Sequence, residues 1–186
     1  MEKQYLYMIL VGCKPPGRNT EQHDVFFTIG QSIAGLVPIL REFWPVEGKG
    51  LHVDAWRRVG FVDGWGVRVV ERPAGTAADL RLFFINLGGY KMGEFEEFHY
   101  KMLTVAANKE EAIRKAKETA FFKHTGFKGA SAHVDDKYGI DVDDIQEIGE
   151  MLAPELKERY AIVLEEASDV LEDEITLGYF PLASLV

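Results

Sequence analysis

The pattern of apolar and polar positions divides the chain into short strands and three helices. From Tyr5 to Val11 nearly every residue is apolar, over the length of one strand buried on both faces. Glycines and prolines between Gly12 and Thr20 break the run and predict a loop. His23 to Gly30, rich in β-branched and aromatic residues, predicts a second strand and hence a hairpin with a long connection. Ser32 is a good N-cap for the helix that follows. Gly35 and Pro38 interrupt that helix. Pro38 suits a first helical position, so the regular part is expected to start near Val37 and to stop before Pro45. Leu51–Val59 and Gly66–Val70 then predict two strands joined by a turn at Asp63-Gly64.

The pattern then recurs. Shifted by 76, Leu6, Ile9, Gly12, Gly17, Glu21, His23 and Thr28 fall on Leu82, Ile85, Gly88, Gly93, Glu97, His99 and Thr104, seven identities in 23 positions. At an offset of 81, His52-Val53-Asp54 falls on His133-Val134-Asp135. Asn108-Lys-Glu-Glu111 reads as a capping box, with Ala112, Ile113, Ala116 and Ala120 on one helical face. Ala130–Lys137 and Asp144–Ile148 would supply the last two strands.

The expected fold class is therefore α+β: two tandem β-β-α-β-β repeats packed as a pseudo-dimer, with a C-terminal helix and strand added. The expected boundaries are 1–72, 80–150 and 151–186, with Arg72–Asp79 as linker. A unit of that size buries only a modest core alone, which is why packing between the two is expected. In the extension, Pro154–Tyr160 predicts a helix and Ala161–Leu164 a strand. Glu165–Glu174 reads as a solvated acidic loop, and Leu177–Leu182 as an apolar clip over a sheet edge or the seam between repeats.

This topology places polar residues together. The helical crossover makes the second and third strands parallel, whereas the hairpin makes the first antiparallel to the second. The end of strand one and the starts of strands two and three then share one sheet edge, where Glu21-x-His23 and His52-x-Asp54 lie. With side chains alternating at period two, each pair shares a face. Four of the five histidines are matched between copies; His124 is not.

Two imidazoles with one or two carboxylates suit a divalent metal: Zn, Fe(II), Mn or Ni. The candidate ligands are Glu21, His23, His52 and Asp54, with Glu97, His99, His133 and Asp135 in the second copy. The same residues could act without metal, a histidine serving as general base oriented by a carboxylate. They could also be structural, satisfying loop donors along the sheet edge. Gly12, Gly17, Arg18, Gly88 and Gly93 form a loop with some likeness to a phosphate cradle and are candidate ligand-binding positions. The loop lacks the Gly-Lys-Ser/Thr ending and leads into a strand, so tight-turn glycines are the better account. Trp44, Trp56 and Trp65 are expected in the core and seam.

Composition narrows the functions. Of 186 residues 47% are hydrophobic and 27% charged, as in ordinary soluble proteins. The net charge of −9 argues against nucleic acid and favours a metal ion or an anion-poor small molecule as ligand. Arg57-Arg58 reads as a solvated strand end. A single cysteine, Cys13, excludes an internal disulfide framework and reads as a small loop residue. No apolar run reaches the length of a signal or membrane helix, so a cytoplasmic location is expected.

The segments Gly17-Arg-Asn-Thr-Glu-Gln-His-Asp24, His52-Val-Asp-Ala-Trp56 and Phe121-Phe-Lys-His-Thr-Gly-Phe127 resemble the family known as domain of unknown function 1543. The resemblance covers Tyr5–Met151, both repeats. It implies a cytosolic bacterial protein carrying the domain in one or two copies, without an assigned activity or site residues. The expected function is a small soluble binding protein with its site at the Glu-x-His/His-x-Asp edge, either a monomeric pseudo-dimer or a homodimer. The alternatives are a metal-dependent hydrolase or oxygenase using the same residues, and an interaction scaffold with no catalytic site.

Overall fold

The structure is a computed structural model and describes residues 3–44, 50–72, 79–90, 94–123, 140–167 and 173–186. The chain is α+β and divides into two compact units, Met1–Ala74 with Leu152–Val186, and Gly75–Met151.

The first unit is built on β1 (Tyr5–Cys13), which pairs antiparallel on one side with β2 (Gln22–Gly30) and on the other with β3 (His52–Arg58). Tyr7, Ile9 and Val11 alternate along β1 and point to one face, where Leu36, Val37 and Leu40 of α1 (Ile33–Phe43) cover them. Each large apolar side chain buried there contributes roughly 1.5–3 kcal/mol. Ser32 caps α1, its hydroxyl accepting from the Gly35 N–H at 3.2 Å. The helix therefore begins at Ile33, ahead of the expected start near Val37, and carries Pro38 inside it. Packing of the apolar face holds the turn in which the proline lacks a donor.

The last strands of this unit differ from the expected pair. The turn at Asp63-Gly64, with φ of 52° and 81°, joins β4 (Phe61–Val62) to β5 (Trp65–Glu71) and not β3 to β5. After α3 (Ile148–Met151) and α4 (Pro154–Arg159), β9 (Tyr160–Glu166) pairs with β5 along its full length. Next, β10 (Thr176–Pro181) pairs with the free side of β3, giving the sheet order β10-β3-β1-β2. The C-terminal segment thus completes two sheets of the first unit. Its acidic stretch is only partly a loop: Glu165 pairs with Arg68, and Asp173 accepts the Gly60 and Phe61 N–H groups at 3.0–3.3 Å.

The second unit has strand order β7-β6-β8, from β6 (Arg81–Tyr90), β7 (Glu97–Ala106) and β8 (Ile140–Glu147), with α2 (Lys109–Lys123) between β7 and β8. Ala112 and Ala116 of α2 pack on Phe83, Ile85 and Leu87. The capping box forms: Asn108 Oδ1 accepts from the Glu111 N–H, and Glu111 Oε2 accepts from the Ala107 N–H, both at 2.9 Å. The expected strand at Ala130–Lys137 lies outside the described residues. The expected strand at Asp144–Ile148 falls in β8 as far as Glu147, and β8 starts earlier, at Ile140, as the partner of β6.

Candidate metal centre

In the first unit Gly12 faces His23 across β1–β2 and His52 across β1–β3, so two flanking strands present their histidines over one glycine. A bulge supplies a third group. Leu10 pairs with Ala55 and Val11 with Val53, leaving Asp54 as the extra residue turned toward the histidines. Glu21 precedes β2 directly.

The four side chains close into a cluster. His23 Nε2 lies 3.8 Å from Glu21 Oε2 and 3.2 Å from Asp54 Oδ2. His52 Nε2 lies 3.2 Å from Glu21 Oε1 and 3.3 Å from Asp54 Oδ1. Donor atoms of Glu21, His23 and His52 all lie within 4.8 Å of one another. Two donors held 2.0–2.1 Å from one ion at a tetrahedral angle are about 3.3–3.4 Å apart, so the His52 separations match ligands of a common ion.

Protonation sharpens this. His52 is 1% exposed, and its Nδ1 lies 2.6 Å from the Gly50 carbonyl oxygen. A carbonyl only accepts, so Nδ1 carries a proton, and Nε2 is the ring nitrogen turned into the cluster. It faces two carboxylates. Neither oxygen meets hydrogen-bond geometry with it; His52 Nε2 and Asp54 Oδ2 are both buried without a hydrogen-bond partner. A backbone carbonyl on Nδ1 with Nε2 free is the usual outer-shell arrangement of a metal-ligating histidine.

Gly12 is no turn glycine. It lies within β1, and a Cβ there would come within 2.5 Å of Asp54 Oδ2 and 2.6 Å of His52 Nε2. Its missing side chain leaves the space at the centre of the cluster. Gly17, with φ of 76°, is a turn glycine on an exposed loop, where the Arg18 N–H closes back to the Pro15 carbonyl at 3.2 Å. The described structure therefore does not bring the expected glycine loop together as one cradle. Cys13 is also not a loop residue. It ends β1 and is buried, and burial, with the Glu21 charge second, pushes its thiol pKa up. Arg58 is not merely solvated, since it stacks on Tyr5 and donates to the Tyr7 hydroxyl at 3.0 Å.

The second unit gathers Glu97, His99 and Asp143. His99 Nδ1 lies 3.3 Å from Asp143 Oδ2 and Nε2 lies 3.9 Å from Glu97 Oε2. Gly88 mirrors Gly12, with an added Cβ only 2.1 Å from Asp143 Oδ2. The bulge recurs too: Asn86 pairs with Asp144 and Leu87 with Val142, leaving Asp143 extra.

This register corrects the sequence alignment of the third strand. Gly88 opposes Asp141 where Gly12 opposes His52, so the counterpart of His52-Val53-Asp54 is Asp141-Val142-Asp143, at an offset of 89 and not 81. His133, Asp135 and Gly93 lie outside the described residues. An aspartate thus stands in the second unit where the first has its buried imidazole. The side chains of Glu97, His99 and Asp143 are 37%, 37% and 30% exposed, close to those of Glu21, His23 and Asp54.

Three participants were missed by sequence reasoning. Asp143 carries the Val-Asp signal in Asp141-Val-Asp143, which the three-residue identity at His133 outweighed. Asn86 contacts His99 Nδ1 at 3.2 Å and donates to Asp144 at 3.3 Å. Tyr179 of β10 lays its ring on His52, with centroids 4.2 Å apart. Nothing in the local sequence marks either of the last two.

Residues 18–69 match the family model described as Domain of Unknown Function (DUF1543). The chain resembles that family. The matched stretch contains Glu21, His23, His52 and Asp54, and ends before the second unit, so it is narrower than the two-copy resemblance read from the sequence. Phe121–Phe127 falls mostly outside the described residues. Among solved structures, the chain is similar to the crystal structure of a protein Il1583 from Idiomarina loihiensis. The TM-score is 0.59 at 25% identity, over 96% of this chain and 97% of that one. No curated protein matches. No helix among the described residues is long and apolar enough to cross a membrane.

Proposed function

We propose that the chain is a metal-binding protein whose first unit holds one divalent transition-metal ion on His23, His52 and Glu21, with Asp54 beside both imidazoles. The observation that carries this reading is His52 Nε2: buried, turned into the cluster by the Nδ1 contact with Gly50, and 3.2–3.3 Å from two carboxylates without hydrogen-bond geometry to either. Two imidazoles and two carboxylates gathered over one glycine at these spacings suit a shared cation. Imidazole with carboxylate suits Zn, Fe(II), Co, Ni or Mn. The chain is further read as a tandem of two related units, supported by matching strand orders and matching bulges. In that reading Asp141 holds in the second unit the strand position that His52 holds in the first.

The test is metal content by elemental analysis of untagged protein, before and after reloading with Zn, Co and Fe(II), beside His23→Ala. His23 is 42% exposed, so its removal leaves the fold intact. Near-stoichiometric metal that vanishes in the variant is expected. A wild-type chain that takes up no ion from any of the three overturns the reading.

A further inference from the structure

We infer that the metal of the first unit keeps an exchangeable coordination position on its solvent side, and that this position takes small neutral donors in preference to anions. The inference rests on the metal-binding reading above and adds what the bound ion does. The cluster is sealed on one side only. Below it lie Gly12 and His52, the latter 1% exposed. Above it, the side chains of Glu21, His23 and Asp54 are 44%, 42% and 25% exposed.

All four groups come from the ends of β1's two neighbouring strands and from the residue just before β2, so they approach the ion from the same sheet face. Among the described residues the only other side chain stacked on a ligand is Tyr179, which lies on the His52 ring at the rim of the cluster. Structural metal sites are closed by protein donors on every side, whereas sites that handle exogenous ligands leave a position open. This one has the second form.

The charge of the donor set selects the class of ligand. Two neutral imidazoles and two carboxylates cancel the charge of a divalent ion, so an incoming anion meets no net positive charge. The protein's overall charge of −9 repels it further. Water, a carbonyl or hydroxyl oxygen, or an uncharged nitrogen donor escapes both effects. A hydrolytic and an oxidative role would both begin from such a neutral ligand.

Co(II) distinguishes the outcomes, because its visible spectrum reports changes in coordination. Protein loaded with Co(II) is titrated with imidazole, a neutral donor, and with azide, an anionic one, while bound and free metal are measured at every step. The expected result is a saturable spectral change with imidazole at a concentration at least tenfold lower than with azide, with Co(II) still bound. A loaded protein whose spectrum ignores both donors has a closed site, and the inference falls while the metal-binding reading stands. Azide acting at equal or lower concentration overturns the neutral preference. No Co(II) uptake by wild-type protein removes the reading beneath.

Discussion

Substituting Gly12→Ala tests the centre with one methyl group. The added Cβ would come 2.5 Å from Asp54 Oδ2, 2.6 Å from His52 Nε2 and 3.0 Å from His23 Cδ2, in the space the ion would occupy. Each of the two shortest contacts must open by roughly 0.5 Å or more before the atoms stop overlapping. His52 has little freedom to yield, since it is 1% exposed and held by the Gly50 carbonyl. Overpacking of this kind costs about 1–3 kcal/mol in the metal-free protein. Displacing two ligand atoms by such a distance should weaken binding at least about 100-fold, about 2.8 kcal/mol. The assay is thermal unfolding with and without Zn at a free concentration near 100 times the wild-type Kd. Metal then adds about 2.7 kcal/mol to wild-type stability, and only about 0.4 kcal/mol to a variant binding 100-fold more weakly. The wild-type melting point should rise by several degrees and the variant's by about one. A variant stabilised by Zn as strongly as wild type would refute the placement of the ion over Gly12.

Four other outcomes follow from the structure. Without metal, His52→Ala should cost about 2–4 kcal/mol by leaving a cavity, and His23→Ala less than about 1 kcal/mol, in denaturant melts; equal losses would contradict the burial difference. His99→Ala should leave the tightly bound metal at one ion per chain, and loss of that ion would move the centre to the second unit. The Glu111 carboxyl is held below its ordinary range by the Ala107 N–H, which outweighs the opposing effect of burial, with Lys115 and Arg114 lowering it further. A depressed folded-state pKa contributes stability above the unfolded value and loses it as pH falls through the folded one. Amide exchange in the first turn of α2 should therefore quicken only at acidic pH, and Glu111→Ala should remove that dependence. Cys13, its thiol pushed up by burial and then by Glu21, should resist alkylation in the native state at mildly alkaline pH. Rapid native labelling, followed by mass, would contradict its burial.

Much of this molecule was legible along the chain. Alternation and apolar runs located β1, β2, α2, α4 and β9, because period and composition are local properties that a strand or helix needs wherever it sits. The meeting of Glu21, His23, His52 and Asp54 could also be expected, since a hairpin followed by a helical crossover places those strand ends at one edge. Less was legible for α1, where Pro38 argues locally against a helix that tertiary packing holds. The turn at Asp63-Gly64 was visible, but its partner strands were not. The two lengths that flank it both read as strands, and nothing local says that β5 pairs with β9.

The sequence by itself determined the α+β class, the recurrence of its polar residues and the kinds of side chain at the edge. Only the tertiary structure decided how those side chains meet. Register is a relation between strands, so the bulges that turn Asp54 and Asp143 inward have no signature within β3 or β8. The same register assigns Asp141-Val142-Asp143 the place that sequence identity gave to His133-Val134-Asp135. Gly12 looked like a turn residue because composition cannot distinguish a glycine needed for its backbone from one needed for its missing side chain. Which ring nitrogen of His52 faces the cluster depends on the Gly50 carbonyl two residues before it, and therefore on how the chain enters β3.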